Sequence, residues 1–128
     1  MKKSIDDYNI YKDGTILLHN PGDLETDFLL TLKFNKDGKI PATGIGLVDN
    51  AEAQLNWEEI SAQGYDTHLV INTKINLIEG YQEKTANNKN YLKKTGNIYN
   101  KHITSGQFFK IPVGEEEMTG SGLSGAYP

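Results

Sequence analysis

From Asp27 to Phe34 the chain alternates without a break: Phe28, Leu30, Leu32 and Phe34 fall on one parity, Asp27, Leu29, Thr31 and Lys33 on the other. A period of two puts apolar side chains on one face of an extended strand, whereas helical winding would scatter them around the axis. The segment is therefore expected as a strand whose Phe/Leu face lies in a core. Leu69, Ile71, Thr73, Ile75 and Leu77 repeat the pattern over five positions. Their β-branched content suits a pleated sheet, so this run is expected as a second core strand.

Turn chemistry punctuates these runs. Asp13-Gly14 separates Tyr8–Tyr11 from Thr15–Asn20 and predicts a hairpin, because glycine accepts the positive φ of a tight turn. In Asn20-Pro21-Gly22-Asp23, proline presets one turn residue and glycine frees the next, while Asn20 or Asp23 can cap by its side chain. A second Asp-Gly pair stands at 37–38, and the glycine-spaced segment 40–50 is expected as a loop or a short edge piece. Residues 51–60 satisfy neither period cleanly; a strand is favoured, with a single helical turn at 50–54 as the alternative.

Residues 82–97 offer only Ala86, Tyr91 and Leu92 for burial and are expected as a surface loop. Apolar alternation resumes with Phe109, Ile111 and Val113, where Pro112 marks an edge or a strand end. Residues 1–7 and the glycine- and serine-rich 121–128 are expected to be mobile unless something pairs with them. Short strands at 8–12 residue spacing, over the 128 residues of one ordinary domain, predict a single all-β domain: an antiparallel β-sandwich or jelly roll.

Charge narrows the function classes. The formal net charge is −4, all 13 basic residues are lysine, and arginine is absent, so the planar fork that grips phosphate and reads guanine is missing. Nucleic acid is not an expected partner. No cysteine is present, which removes thiolate chemistry and disulfide frameworks. Met1-Lys2-Lys3 runs into Asp6 and Asp7 where a signal peptide would be apolar, and apolar runs reach only three to four residues. Neither a leader nor a membrane span is expected.

Candidate chemistry is sparse. His19, His68 and His102 lack the i+2 or i+4 spacing of metal pairs, and no nucleophile elbow, phosphate loop or dinucleotide fingerprint occurs. No catalytic residue, metal or cofactor is expected. Asp23, Glu25 and Asp27, like Glu115–Glu117, are expected on solvated strand faces, where charge discourages edge pairing. From Glu83 to Lys101 five lysines accompany one acid, a weak patch for an anionic polymer such as a cell-wall phosphate glycan. Trp57, Tyr65, Tyr81 and Tyr91 are the candidate contacts for a glycan or a protein partner, since sugars stack on exposed rings.

Four runs taken together, 8–34, 66–80, 95–100 and 106–119, resemble the C-terminal domain of the distal tail protein family of siphophages and prophages. The motifs are Asn-Pro-Gly-Asp leading into a strand, an Asp-x4-Ile-Asn-x-Lys strand at 66–74, and Phe-Phe-Lys-Ile-Pro-x-Gly at 108–114. The resemblance implies a galectin-like or jelly-roll sandwich without catalytic residues. It also implies a virion component at the tail tip or baseplate, in contact with other phage tail proteins and, in full-length context, part of a homo-hexameric ring. Two departures are expected: no ring-closing N-terminal domain before Tyr8, and no further hydrophobic strand after Pro128. The leading expectation is thus a structural tail module located at the virion tail tip. The alternative is a carbohydrate-binding module contacting host cell-wall glycans; a glycan-cleaving enzyme is disfavoured because no paired carboxylates stand out.

Overall fold

The computed structural model describes residues 10–12, 15–40, 44–48, 50–119 and 126–127; for 10–12, 15–18 and 126–127 only the backbone is described. The strands are β1 (Ile10–Lys12), β2 (Thr15–Asn20), β3 (Leu29–Lys33), β4 (Gly44–Leu47), β5 (Asn50–Trp57), β6 (His68–Asn72), β7 (Leu77–Ala86), β8 (Lys89–Ile98), β9 (Ile103–Gly106), β10 (Gly114–Thr119) and β11 (Ala126–Tyr127). They form two antiparallel sheets, one ordered β1-β2-β10-β4-β5-β9 and the other β11-β3-β6-β7-β8. The chain changes sheet after β2, β3, β5, β8 and β10, as a sandwich requires and a simple meander does not. The all-β antiparallel sandwich expected from periodicity is what the chain forms.

The core follows parity. Phe28, Leu30, Leu32 and Phe34 are all buried, and they face Ile45, Leu47, Ala53, Leu55, Trp57 and Met118 of the other sheet. Leu69, Ile71, Ile78 and Tyr99 extend the same layer. The ring centroids of Phe28 and Phe109 lie 5.3 Å apart, a tilted pair that seals one end. At the head of this layer Asn20 is 2% exposed, and its amide donates to the carbonyls of Leu24 (2.9 Å) and Ile111 (3.1 Å) while accepting from the Gly22 N–H. Asn20, rather than Asp23, is therefore the residue that holds the Pro-Gly reversal.

Several local expectations need correction. Leu69–Leu77 is not one strand: β6 ends at Asn72, Thr73–Asn76 turn, and β7 begins at Leu77. The left-handed φ of 56° at Asn76 closes that turn and leaves Ile75 exposed, so matching parity on its two sides concealed a reversal. Segment 40–50 is more than an edge piece, because β4 lies between β10 and β5 with all four residues buried. Gly44 and Gly46 permit this: a Cβ at either would collide with the Asn56 or Gln54 side chain lying across it. Residues 107–113 do not form a strand; Phe109 and Ile111 are buried from a loop tied to Thr26 by backbone hydrogen bonds of 2.9 and 2.8 Å.

The largest correction concerns residues 82–97. In place of a loop, β7 and β8 form a long hairpin, paired from Tyr81↔Lys94 to Ala86↔Lys89. Asn87 and Asn88 adopt φ of 53° and 64°, the pair of left-handed residues that a two-residue type I′ turn needs. The tail also has a partner in part, since Ala126 and Tyr127 add to β3 opposite Leu32 and Thr31. The rest of 120–128, all of residues 1–9, and Asp13-Gly14, where the hairpin turn is expected, lie outside the described residues.

Candidate functional site

The outer half of the β7–β8 hairpin is an arm. From Glu83 to Gly96 every residue is exposed, so neither face of the ribbon is covered by the chain's own body. Register fixes which side chains share a face. Tyr81/Lys94, Glu83/Leu92 and Thr85/Asn90 lie on one side, with the Thr85 hydroxyl donating to the Asn90 amide oxygen at 2.8 Å. Gln82/Lys93, Lys84/Tyr91 and Ala86/Lys89 lie on the other. The second face continues the parity of core-facing Ile78 and Gly80, yet it has run past the sandwich and meets no opposing sheet. It carries three lysines around one tyrosine and no carboxylate.

The root of the arm is built with more care. Glu79 pairs with Ile98 and Tyr81 with Lys94, so β8 spends two extra residues over this interval in a bulge containing Gly96 at φ 92°. Inside the bulge the buried Asp66 carboxylate lies over Gly80. It accepts hydrogen bonds from the Thr95 hydroxyl, the Asn97 amide (2.9 Å) and the Tyr99 hydroxyl, three residues at every second position across the end of β8. The Tyr99 oxygen in turn accepts from the Gln63 N–H at 3.0 Å, which fastens the 61–67 loop. Burial first, and then the bond to Asp66, push the Tyr99 hydroxyl far above its ordinary pKa.

On the opposite side of the sheet Glu79 is also buried, and its Oε2 accepts from the Lys94 ammonium at 2.9 Å. The neighbouring His68 ring shares a hydrogen bond with the Thr67 hydroxyl at 2.8 Å, and that hydroxyl accepts from the Glu83 N–H at 2.8 Å. Burial lowers the His68 pKa, opposed by Glu83 and assisted by Lys33. These contacts set the direction in which the arm leaves the body.

The four candidate contact residues are not brought together. Trp57 is 3% exposed in the core, so its ring is no outer platform. Tyr65 stands 80% exposed on the turn before Asp66. Tyr81 is half-buried at the arm's root and Tyr91 is 48% exposed on the opposite face of the arm. The residues that reading by composition passed over are Lys84, Lys89 and Lys93 as a single face; the signal available was the two-residue spacing of Lys89, Tyr91 and Lys93 beside Asn87-Asn88. Among the described residues no group of three His, Asp or Glu side chains is placed to hold a metal ion, and no helix is long and apolar enough to cross a membrane. Comparison with protein-family models, curated proteins and solved structures gives no match to this chain.

Proposed function

We propose that this sandwich is a structural docking module of a phage tail tip, which engages neighbouring tail proteins through the β7–β8 arm. The observation that carries the reading is the exposed ribbon itself. An isolated two-stranded hairpin is marginal in water, and this one is held rigidly at its root while its outer half buries nothing. Such an element gains its packing from a second surface. The motif resemblance of the four sequence runs supplies the setting, and no catalytic role is assigned.

The test is incorporation into particles. Chain carrying a terminal tag, expressed during phage production, is expected to co-purify with intact virions, and a variant with a shortened arm is expected to be lost from them. Absence of the tagged chain from purified particles would overturn the reading. A glycan-binding role is the second reading, favoured by the exposed Tyr65 and Tyr91 rings; it requires binding to isolated cell walls that disappears on Tyr91→Ala.

A further inference from the structure

Charge is divided unequally between the two sheets. In the sheet β1-β2-β10-β4-β5-β9 the acids are Glu52, Glu115, Glu116 and Glu117; its one lysine, Lys12, stands on the edge strand β1, and His19 of β2 lies 3.9 Å from Glu115. Strands β7 and β8 contain Lys84, Lys89, Lys93 and Lys94 against Glu79 and Glu83, and Glu79 is buried against Lys94. Residues 82–94 hold four lysines and one acid, an excess of three positive charges, so the remaining residues of a chain at −4 carry −7. The sandwich is an electric dipole whose positive pole is the arm.

Parity locates the negative pole. On β10, Met118 points into the core, so Glu115 and Glu117 point outward; on β5, Leu55 and Trp57 point inward, so Gln54 and Asn56 point outward, and Glu52 is exposed in the irregular stretch between Asn50 and Gln54 where pairing with β4 shifts register. β10 and β5 flank β4, whose outward positions are Gly44 and Gly46. The glycines keep this face low in relief, with carboxylates on either side and no cation from those strands. A flat acidic sheet face and a projecting basic ribbon are complementary in sign and in shape.

We infer that the arm's Lys84/Lys89/Lys93 face docks on the Glu52/Glu115/Glu117 face of a second copy of the chain. The two patches are different surfaces of one molecule, so the contact is head-to-tail, and it propagates to a ring or a filament instead of stopping at a symmetric dimer. Tyr91, half exposed among the three lysines, supplies the apolar centre that a charged rim surrounds. A polyanion is the poorer occupant, because the rest of the chain would repel it. This inference rests on the reading of the arm as a docking element and names its neighbour as a further copy of the chain; its test uses no virions, so its failure is distinguishable from failure of the phage setting.

Sedimentation velocity of the intact chain tests it. At about 50 mM salt the sedimentation coefficient is expected to rise with protein concentration, and at about 0.5 M salt, where the screening length is only a few ångströms, association is expected to weaken at least tenfold. Lys84→Glu/Lys89→Glu/Lys93→Glu and, separately, Glu52→Lys/Glu115→Lys/Glu117→Lys are each expected to be monomeric. Mixing the two is expected to restore association, since each reversed arm then meets a reversed face. Circular dichroism identifies a variant that fails to fold, in which case Lys89→Glu and Glu115→Lys, both at exposed sites, serve as the swapped pair. A wild-type chain that stays monomeric at low salt, association that survives the arm reversal, or folded variants that do not associate when mixed would each overturn the proposal.

Discussion

Tyr99 donates its phenolic hydrogen to the Asp66 carboxylate across 33 residues of sequence, and both groups are buried. The bond joins the loop before β6 to the end of β8, so it holds the base of the arm against the body. Asp66→Ala leaves the buried Tyr99 hydroxyl without its acceptor and takes from the Asn97 amide one of its two, the Gln63 carbonyl remaining, and a loss of about 2–4 kcal/mol is expected in urea unfolding. Asp66→Asn keeps an acceptor oxygen and is expected to lose about half as much. Equal losses for the two variants would mean that the cavity, not the hydrogen bonds, decides the cost.

Alkaline pH should act through the same residue. Tyrosine in an unfolded chain ionises near 10, whereas Tyr99 in the fold keeps its proton well above that value because it is buried and bonded to Asp66. Between the two values the unfolded state has released a proton that the folded state retains. Stability from this group is therefore complete below about pH 10 and declines as pH rises further. Wild type is expected to lose stability more steeply than Tyr99→Phe above that point, with the two unfolding free energies converging. Curves that run parallel from pH 8 upward would refute the assignment.

Two glycines at the root of the arm separate steric cost from backbone cost. At Gly80 an added Cβ would run into the Asp66 carboxylate, displacing the group that three donors surround. At Gly96 nothing lies within 4 Å, but φ is 92°, where an L side chain is strained. Gly96→Ala is expected to cost about 1–2 kcal/mol and Gly80→Ala about 3 kcal/mol or more, both by denaturant titration. The reverse order would show that the bulge, rather than the carboxylate seat, is the tighter constraint.

Glu79 has one oxygen on Lys94 and the other buried without a hydrogen-bond partner. Removing the cation alone strands a buried carboxylate, whereas removing both groups leaves two apolar side chains beside Val70 and Ile98. Lys94→Met is therefore expected to lower the melting temperature more than Glu79→Leu/Lys94→Met does. A double variant no more stable than the single one would mean that the pair contributes little beyond packing.

Legibility in the sequence followed the reach of the interaction. Phe28 to Phe34 could be assigned because alternation over one strand is local, and the reversal at 20–23 because its turn chemistry is local, although the choice of Asn20 over Asp23 as its holder rests partly on Ile111, 91 residues away. Leu69 to Leu77 misled for the same reason: parity was preserved through Thr73–Asn76, and the reversal rests on the backbone of Asn76. β4 could not be read from Gly44-Ile45-Gly46-Leu47, since the glycines are needed only by Asn56 and Gln54 of the neighbouring strand. The arm was missed because strand pairing at 82–94 is driven by its turn and by anchoring at its root, not by burial, and hydrophobic periodicity reports burial alone. Trp57 drew attention as a ring, yet an alternating strand with Ala53 and Leu55 places it in the core.

That division between root and tip leads to the last expectation. Replacing Glu83–Leu92 by Asn-Gly would join Gln82 and Lys93, a hydrogen-bonded pair like Ala86 and Lys89, through a two-residue turn, shortening the arm while keeping the Glu79–Lys94 pair and the Asp66 seat. Because every deleted side chain is exposed, unfolding free energy is expected to change by no more than about 0.5 kcal/mol. Self-association at low salt, in contrast, is expected to vanish with Lys84 and Lys89. A shortened chain that unfolds much more readily would show that the outer ribbon supports the sandwich, and the arm would then be a structural brace with no need of a partner.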